Sequence, residues 1–104
     1  MYMRIIWGRT TGDGWRHIES NYRALADTPI EGLKGRWLLR DDNDADSFFG
    51  ITLWEDRSFI EKWEQSDDFT KVFLPAIRPY MTGSRSVAVC RIVSSKLFTD
   101  LKAN

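Results

Sequence analysis

Apolar and polar residues alternate along this chain in two rhythms, and the switches between them mark out its elements. Residues 48–54 (FFGITLW) are apolar on both parities: Phe49, Ile51 and Leu53 point one way, Phe48, Thr52 and Trp54 the other. A strand sends alternate side chains to opposite faces, so a strand apolar on both must be covered on both. The rhythm then becomes helical over roughly 57–65, where Phe59, Ile60 and Trp63 share one stripe and can cover one face. A second copy of the chain is expected to supply the other cover, with Phe48 on the side facing it.

The flanking segments follow the same two periods. Residues 3–9 form a short β-rich run, with Ile5 and Trp7 on one face and Ile6 on the other. Trp15, Ile18, Tyr22 and Leu25 then recur at helical spacing, predicting a helix over roughly 14–26 with Asp13 as its N-cap and Thr28-Pro29 as its stop. From 33 to 41, Leu33, Gly35, Trp37 and Leu39 alternate with Lys34, Arg36, Leu38 and Arg40, a half-buried strand. Residues 41–46 form a polar hairpin loop. A calcium loop beginning at Asp42 would need Gly at 47 and Glu at 53, where Ser47 and Leu53 stand, so the acids read as a solvated tip. Ser66 can cap a further helical turn whose apolar side is Phe69, Val72 and Phe73, until Pro75 interrupts it. Ile77, Pro79, Tyr80 and Gly83 make an irregular connection to a last strand over 84–93. In the tail, Leu97, Phe98 and Leu101 are apolar enough to dock, for instance on a partner subunit.

Composition narrows the class. The 104 residues make one domain, a core over about 3–93 with a tail over 94–104. Lys plus Arg and Asp plus Glu number 15 each and are interspersed, so no basic stripe marks a nucleic-acid surface. No run approaches the roughly 20 apolar residues of a membrane helix. No signal peptide is read at the start, and the lone Cys90 fits a reducing compartment; a cytoplasmic protein is expected. Five tryptophans are many for this length, and filling a core or an interface is their simplest use.

The element order β-α-β-β-α-β predicts an α+β, ferredoxin-like fold: a four-stranded antiparallel sheet with helices on one side, pairing through its other face as a homodimer. With strand ITLWED (51–56), helix SFIEKW (58–63), SDDF (66–69), and Gly32-Leu33 with Leu38-Leu39-Arg40-Asp41, the chain resembles the antibiotic-biosynthesis monooxygenase superfamily of dimeric α+β barrels over roughly 3–93. That family includes cofactor-independent oxygenases of aromatic polyketides and haem-degrading enzymes. The haem-degrading pattern has an asparagine on the first strand, a tryptophan on the second helix and a histidine ten residues later. This chain has Trp7, Trp63 and Phe73 there, so haem degradation is not expected.

The resemblance to the oxygenase branch implies a cofactor-independent monooxygenase acting on an aromatic or quinol-like molecule, with no metal or cofactor. Its pocket, between helices and sheet, would be lined by Trp7, Trp54, Trp63, Phe69 and Phe73, with Arg40 also binding substrate. Trp63, His17 and Tyr80 are the catalytic candidates, and an imidazole with an ordinary pKa of roughly 6.5 suits His17 to act as base. The competing reading is a non-catalytic homodimeric module that binds a small ligand or serves a stress-related role. In it Trp63, four residues after Phe59, is a core tryptophan, and His17 is a satisfied or solvent-facing histidine.

Overall fold

The strands β1 (Tyr2–Arg9), β2 (Leu33–Asp41), β3 (Asp44–Trp54) and β4 (Thr82–Arg91) form one antiparallel sheet in the order β2-β3-β1-β4. In the computed structural model, residues 1–98 are described, and Leu101 lies outside them. Helix α1 (Gly14–Leu25) follows β1, and α2 (Arg57–Glu64) follows β3. This is the expected ferredoxin-like arrangement.

Register decides which residues meet the helices. Ile5 sits opposite Ile51 on β3 and Ala88 on β4, and Tyr2 opposite Trp54. Phe48, Thr52 and Trp54 therefore share a face with Tyr2, Arg4 and Ile6. Phe48 is 2% exposed and packs with Ile18 of α1 and Ile77, so this face lies under the helices. The expectation that Phe48 faces a partner sheet is corrected: Phe49, Ile51 and Leu53 look outward.

On β2 the alternation breaks. The pairing with β3 shifts between Leu33 and Gly35, a β-bulge that re-phases the strand. Leu33 packs into the core around Trp54, yet beyond the bulge Arg36, Leu38 and Arg40 take the helix-facing side. Gly35 and Trp37 face outward together, and a Cβ on Gly35 would lie 2.8 Å from the Trp37 ring.

Three local departures have simple causes. Asp13 precedes α1 but makes no side-chain cap; its carboxylate instead lies 3.9 Å from Arg16. The β2–β3 hairpin is tighter than the loop expected over 41–46, because Arg9 holds Asp44 at 2.8 Å and Asp46 N–H bonds the Asp44 carboxylate. Nor does Pro75 end the last helical run. Leu74 N–H reaches Phe69 O, a widened π turn over Asp68–Phe73, and Pro75 then enters the first turn of α3 (Leu74–Ile77), where a missing N–H costs little. A 3-10 turn, Arg78–Tyr80, completes the run. Ser66 does cap its start, its Oγ accepting from Phe69 N–H at 3.2 Å.

The core lies between the helices and the sheet in two clusters, Trp54-Ile60-Trp63-Phe69 and Ile18-Phe48-Ile77. The other sheet face presents Met3, Ile5, Trp7, Trp37, Phe49, Ile51 and Leu53, and a groove of about 790 Å³ runs along it past Leu39 to Ile92 and Leu97. Leu97 and Phe98 are exposed. Among the described residues, no helix is long and apolar enough to cross a membrane.

Candidate functional site

The expected aromatic pocket is occupied by its own lining. Trp63 stands 5.5 Å from Trp54, 4.5 Å from Phe69 and 5.6 Å from Phe73, ring centre to ring centre. Trp54, Trp63 and Phe69 are all buried. Trp7 is not with them. It projects from the opposite sheet face, its indole N–H donating to Ser47 Oγ at 2.7 Å, because its odd position in β1 points away from the helices.

The polar candidates gather elsewhere. His17 and Tyr80 stack at 4.5 Å with 11° between planes, near the N-terminal end of α1. There Thr10 Oγ1 donates to Tyr80 O at 2.7 Å, and a Cβ on Gly14 would press to 2.9 Å from that carbonyl, so only glycine lets α1 start against the turn. The imidazole of His17 is exposed. Arg40, also exposed, lies 5.0 Å over the Trp15 ring. The structure thus joins His17 with Tyr80, joins Trp63 with Trp54, Phe69 and Phe73, and separates Arg40 and Trp7 from both groups.

Between α1 and β2 runs a cleft of about 720 Å³, with Trp15, Tyr22, Arg36, Leu38 and Arg40 among its walls. Arg36 also borders a small inner cavity of about 40 Å³, against Trp63, Phe73, Leu25 and Asp68. The guanidinium is fixed at one corner: Nη1 donates to Leu25 O at 2.8 Å, where a cation suits the carbonyl end of α1. Its buried Nε has no hydrogen-bond partner, and neither has the buried hydroxyl of Tyr22. Among the described residues no carboxylate pairs with Arg36 within 4.0 Å.

Burial pulls Arg36 below the ordinary arginine range, while Tyr22 and Asp27 draw it back through space. Burial likewise pushes the Tyr22 phenol up to about 12, against a smaller opposing pull from Arg36. Both groups keep their protons near neutrality and stand as donors. Sequence reasoning missed this pair because Tyr22 read as one more apolar position on α1 and Arg36 as the polar side of β2. Two signals were available: a tyrosine on an apolar stripe still needs a partner for its hydroxyl, and Arg36 shares its strand parity with Leu38.

No protein-family model matches the chain, and no curated protein matches it. Solved structures do. A crystal structure of an antibiotic biosynthesis monooxygenase superposes with a TM-score of 0.75 at 20% identity, over 90% of this chain and 100% of the other. SnoaB, a cofactor-independent oxygenase from Streptomyces nogalater, gives 0.75 at 17% identity, over 90% and 94%. MhuD, a heme-degrader from Mycobacterium tuberculosis, gives 0.73 at 18%, over 92% and 99%. The chain has their fold. The resemblance read from ITLWED and SFIEKW is met at that level, and many of the structural neighbours carry the antibiotic biosynthesis monooxygenase name.

Proposed function

We propose that this chain is a cofactor-independent monooxygenase for an aromatic or quinol-like small molecule, bound between α1 and the sheet, and that it works as a homodimer through the outward sheet face. The observation that carries the reading is two unpartnered buried donors, Tyr22 and Arg36: Arg36 borders the small cavity with Trp63 and Phe73, and the Tyr22 ring stands 6.3 Å from that of Phe73. An electron-rich enolate or phenolate can itself reduce dioxygen. Oxygen bonds to the activated carbon, and loss of water from the resulting peroxide leaves a carbonyl, so CH₂ + O₂ gives C=O + H₂O. The protein then needs to exclude water, accept a proton and hold an anionic oxygen. His17, stacked on Tyr80, is the proposed base; Trp63 and Phe73 form the apolar wall of the inner cavity, backed by Trp54 and Phe69 in the core, and Arg40 with Trp15 the outer lip.

The homodimer is supported by the uncovered apolar face, with Trp37, Phe49, Ile51 and Leu53 on one continuous surface. The free, exposed Cys90 is in keeping with the cytoplasm. A haem does not fit these residues: Phe73, ten after Trp63, packs its ring against Trp63 and offers no iron ligand. Titration with haemin is expected to leave its Soret band unmoved.

One observation favours a non-catalytic small-ligand module instead: the Trp54-Trp63-Phe69 centre is closed. Oxygen uptake with anthrone, quinol and catechol substrates separates the two. The oxygenase reading expects one O₂ consumed per substrate, with uptake reduced in His17→Gln. The module expects none above the uncatalysed rate.

A further inference from the structure

We infer that Met1, Met3 and Cys90 form a soft-metal site that holds one copper(I) ion where β1 pairs with β4, on the outward face of the sheet. The site stands apart from the oxygenase reading and needs neither its pocket nor its substrate.

The chain has three methionines and one cysteine, and the fold gathers three of these four sulfurs. Met3 and Cys90 are Cα partners across the antiparallel β1–β4 pair. Residues opposed in this way point to the same face with their Cβ atoms about 4.5–5.5 Å apart, so one ion can bond both sulfurs. Met1 precedes Met3 by two positions and shares its face. It is held in the sheet: Ile92 N–H donates to Met1 O at 3.0 Å, continuing the pairing past Tyr2 and Arg91. Met1 therefore lies diagonal to Cys90, roughly 7–8 Å away at the backbone. Its unbranched, flexible side chain and two metal–sulfur bonds close that span. The fourth sulfur belongs to Met81, which packs on the helix side against the Ile18-Phe48-Ile77 cluster.

The donor set chooses the metal. Two thioethers and a thiolate are soft ligands, which suit copper(I). Zinc asks for four Cys, His or carboxylate ligands, and this site has one. Ile5, Leu53, Ala88 and Ile92 flank the sulfurs on the same face, and none of them offers a hard donor. Cys90 is exposed and Met1 is 49% exposed, so an ion can reach them, while Met3 is half-buried and fixes the inner corner. Binding forms three metal–sulfur bonds and releases the thiol proton, with no change in oxidation state. All three ligands come from one chain. They sit toward β4, at the margin of the sheet opposite β2, so the ion does not depend on a second copy.

The test offers the whole chain copper(I), made from copper(II) sulfate and ascorbate under argon, in competition with the chelator bathocuproine disulfonate. One equivalent per chain should be retained, and it should protect Cys90, the only thiol, from iodoacetamide. Zinc(II) should give no such protection. Cys90→Ser should abolish retention. Met3→Leu, a swap that nearly conserves volume and keeps the fold, should weaken retention at least about tenfold, the least that even an outer-shell change costs a metal site. Met81→Leu should leave it unchanged, and melting curves show all three variants folded. No retention against the chelator overturns the site, as does half an equivalent per chain, which is one ion bridging two cysteines. Protection by zinc equal to that by copper, or retention indifferent to Met3→Leu, overturns it as well, because the thiol alone would then account for binding.

Discussion

Two arginines reach under the helices from neighbouring regions of the sheet, and they are treated in opposite ways. Arg4, on β1, is 5% exposed; its Nε pairs with Glu64 at 3.3 Å, and its guanidinium lies 5.4 Å from the rings of both Trp63 and Phe69. Arg36, on β2, has one backbone carbonyl, an unpartnered Nε and a neighbouring hydroxyl that is also unpartnered. Burial lowers the pKa of each, but at Arg4 a direct hydrogen bond and the charge of Glu64 oppose it, whereas only through-space attraction opposes it at Arg36. The same layer therefore contains one completed cation and one incomplete one. Completion marks a structural role, and the incomplete cation is the one on which the proposed function rests.

This comparison depends on the two arginines lying on the helix side, so the largest test is of the faces. Phe48→Asp places a carboxylate among Ile18 and Ile77 and should cost more than about 4 kcal/mol, leaving the chain unfolded in circular dichroism. Ile51→Asp, one face away, should keep the fold and turn the proposed dimer into a monomer in light scattering. A folded Phe48→Asp would reverse the face assignment and, with it, the meaning of both arginines.

Next in size is the difference between the arginines themselves. Glu64→Ala strips Arg4 of its counter-charge, and because Glu64 is itself partly exposed the loss should be about 2–3 kcal/mol in urea unfolding, below the fully buried case. Arg36→Gln, which breaks no ion pair, should cost about 1 kcal/mol or less. Equal losses would mean that Arg36 is as structural as Arg4.

How far the chain could be read in advance follows from what kind of fact each feature is. The strands and α1 and α2 are visible because burial imposes periods of two and 3.6 on single side chains. The bulge between Leu33 and Gly35 is not, since it is a property of the β2–β3 pairing and of no residue alone; yet it brings Arg36 under α1. Pro75 reads as a break, and only the Leu74-to-Phe69 bond shows how a wide turn admits it. Gly32 has φ +82° and meets the Phe59 ring where a Cβ would be, a close approach that sequence spacing does not announce. The core aromatics were therefore legible as core, while the Tyr22–Arg36 pair depends on a register shift and a helix end.

A smaller effect separates packing from chemistry at Trp63. With Trp54, Phe69 and Phe73 all in ring contact, Trp63→Phe should cost about 1–2 kcal/mol, a partial truncation of a filled core. If the tryptophan only packs, turnover stays near that of the parent. Collapse of turnover with an unmoved melting temperature would place Trp63 in contact with substrate and draw the Arg4 region into the site.

The smallest effect is the most specific to the incomplete region. Tyr22 keeps its proton to about 12 in the folded chain against an ordinary 10.0. From pH 10 upward the unfolded chain therefore releases this proton first, and stability must fall as pH rises until the folded phenol ionises too. Tyr22→Phe has no such proton, so through that window the variant should gain on the parent as pH rises, by roughly 1 kcal/mol at pH 11. Near neutrality the difference has the same sign and no pH dependence: removing an unpartnered buried hydroxyl should leave stability unchanged or raise it by about 0.5–1 kcal/mol. Lysines and the other tyrosines titrate alike in both proteins and cancel. A variant less stable than the parent at pH 7 would show that the hydroxyl already has a partner, and the contrast between a completed Arg4 and an open Arg36 would end there.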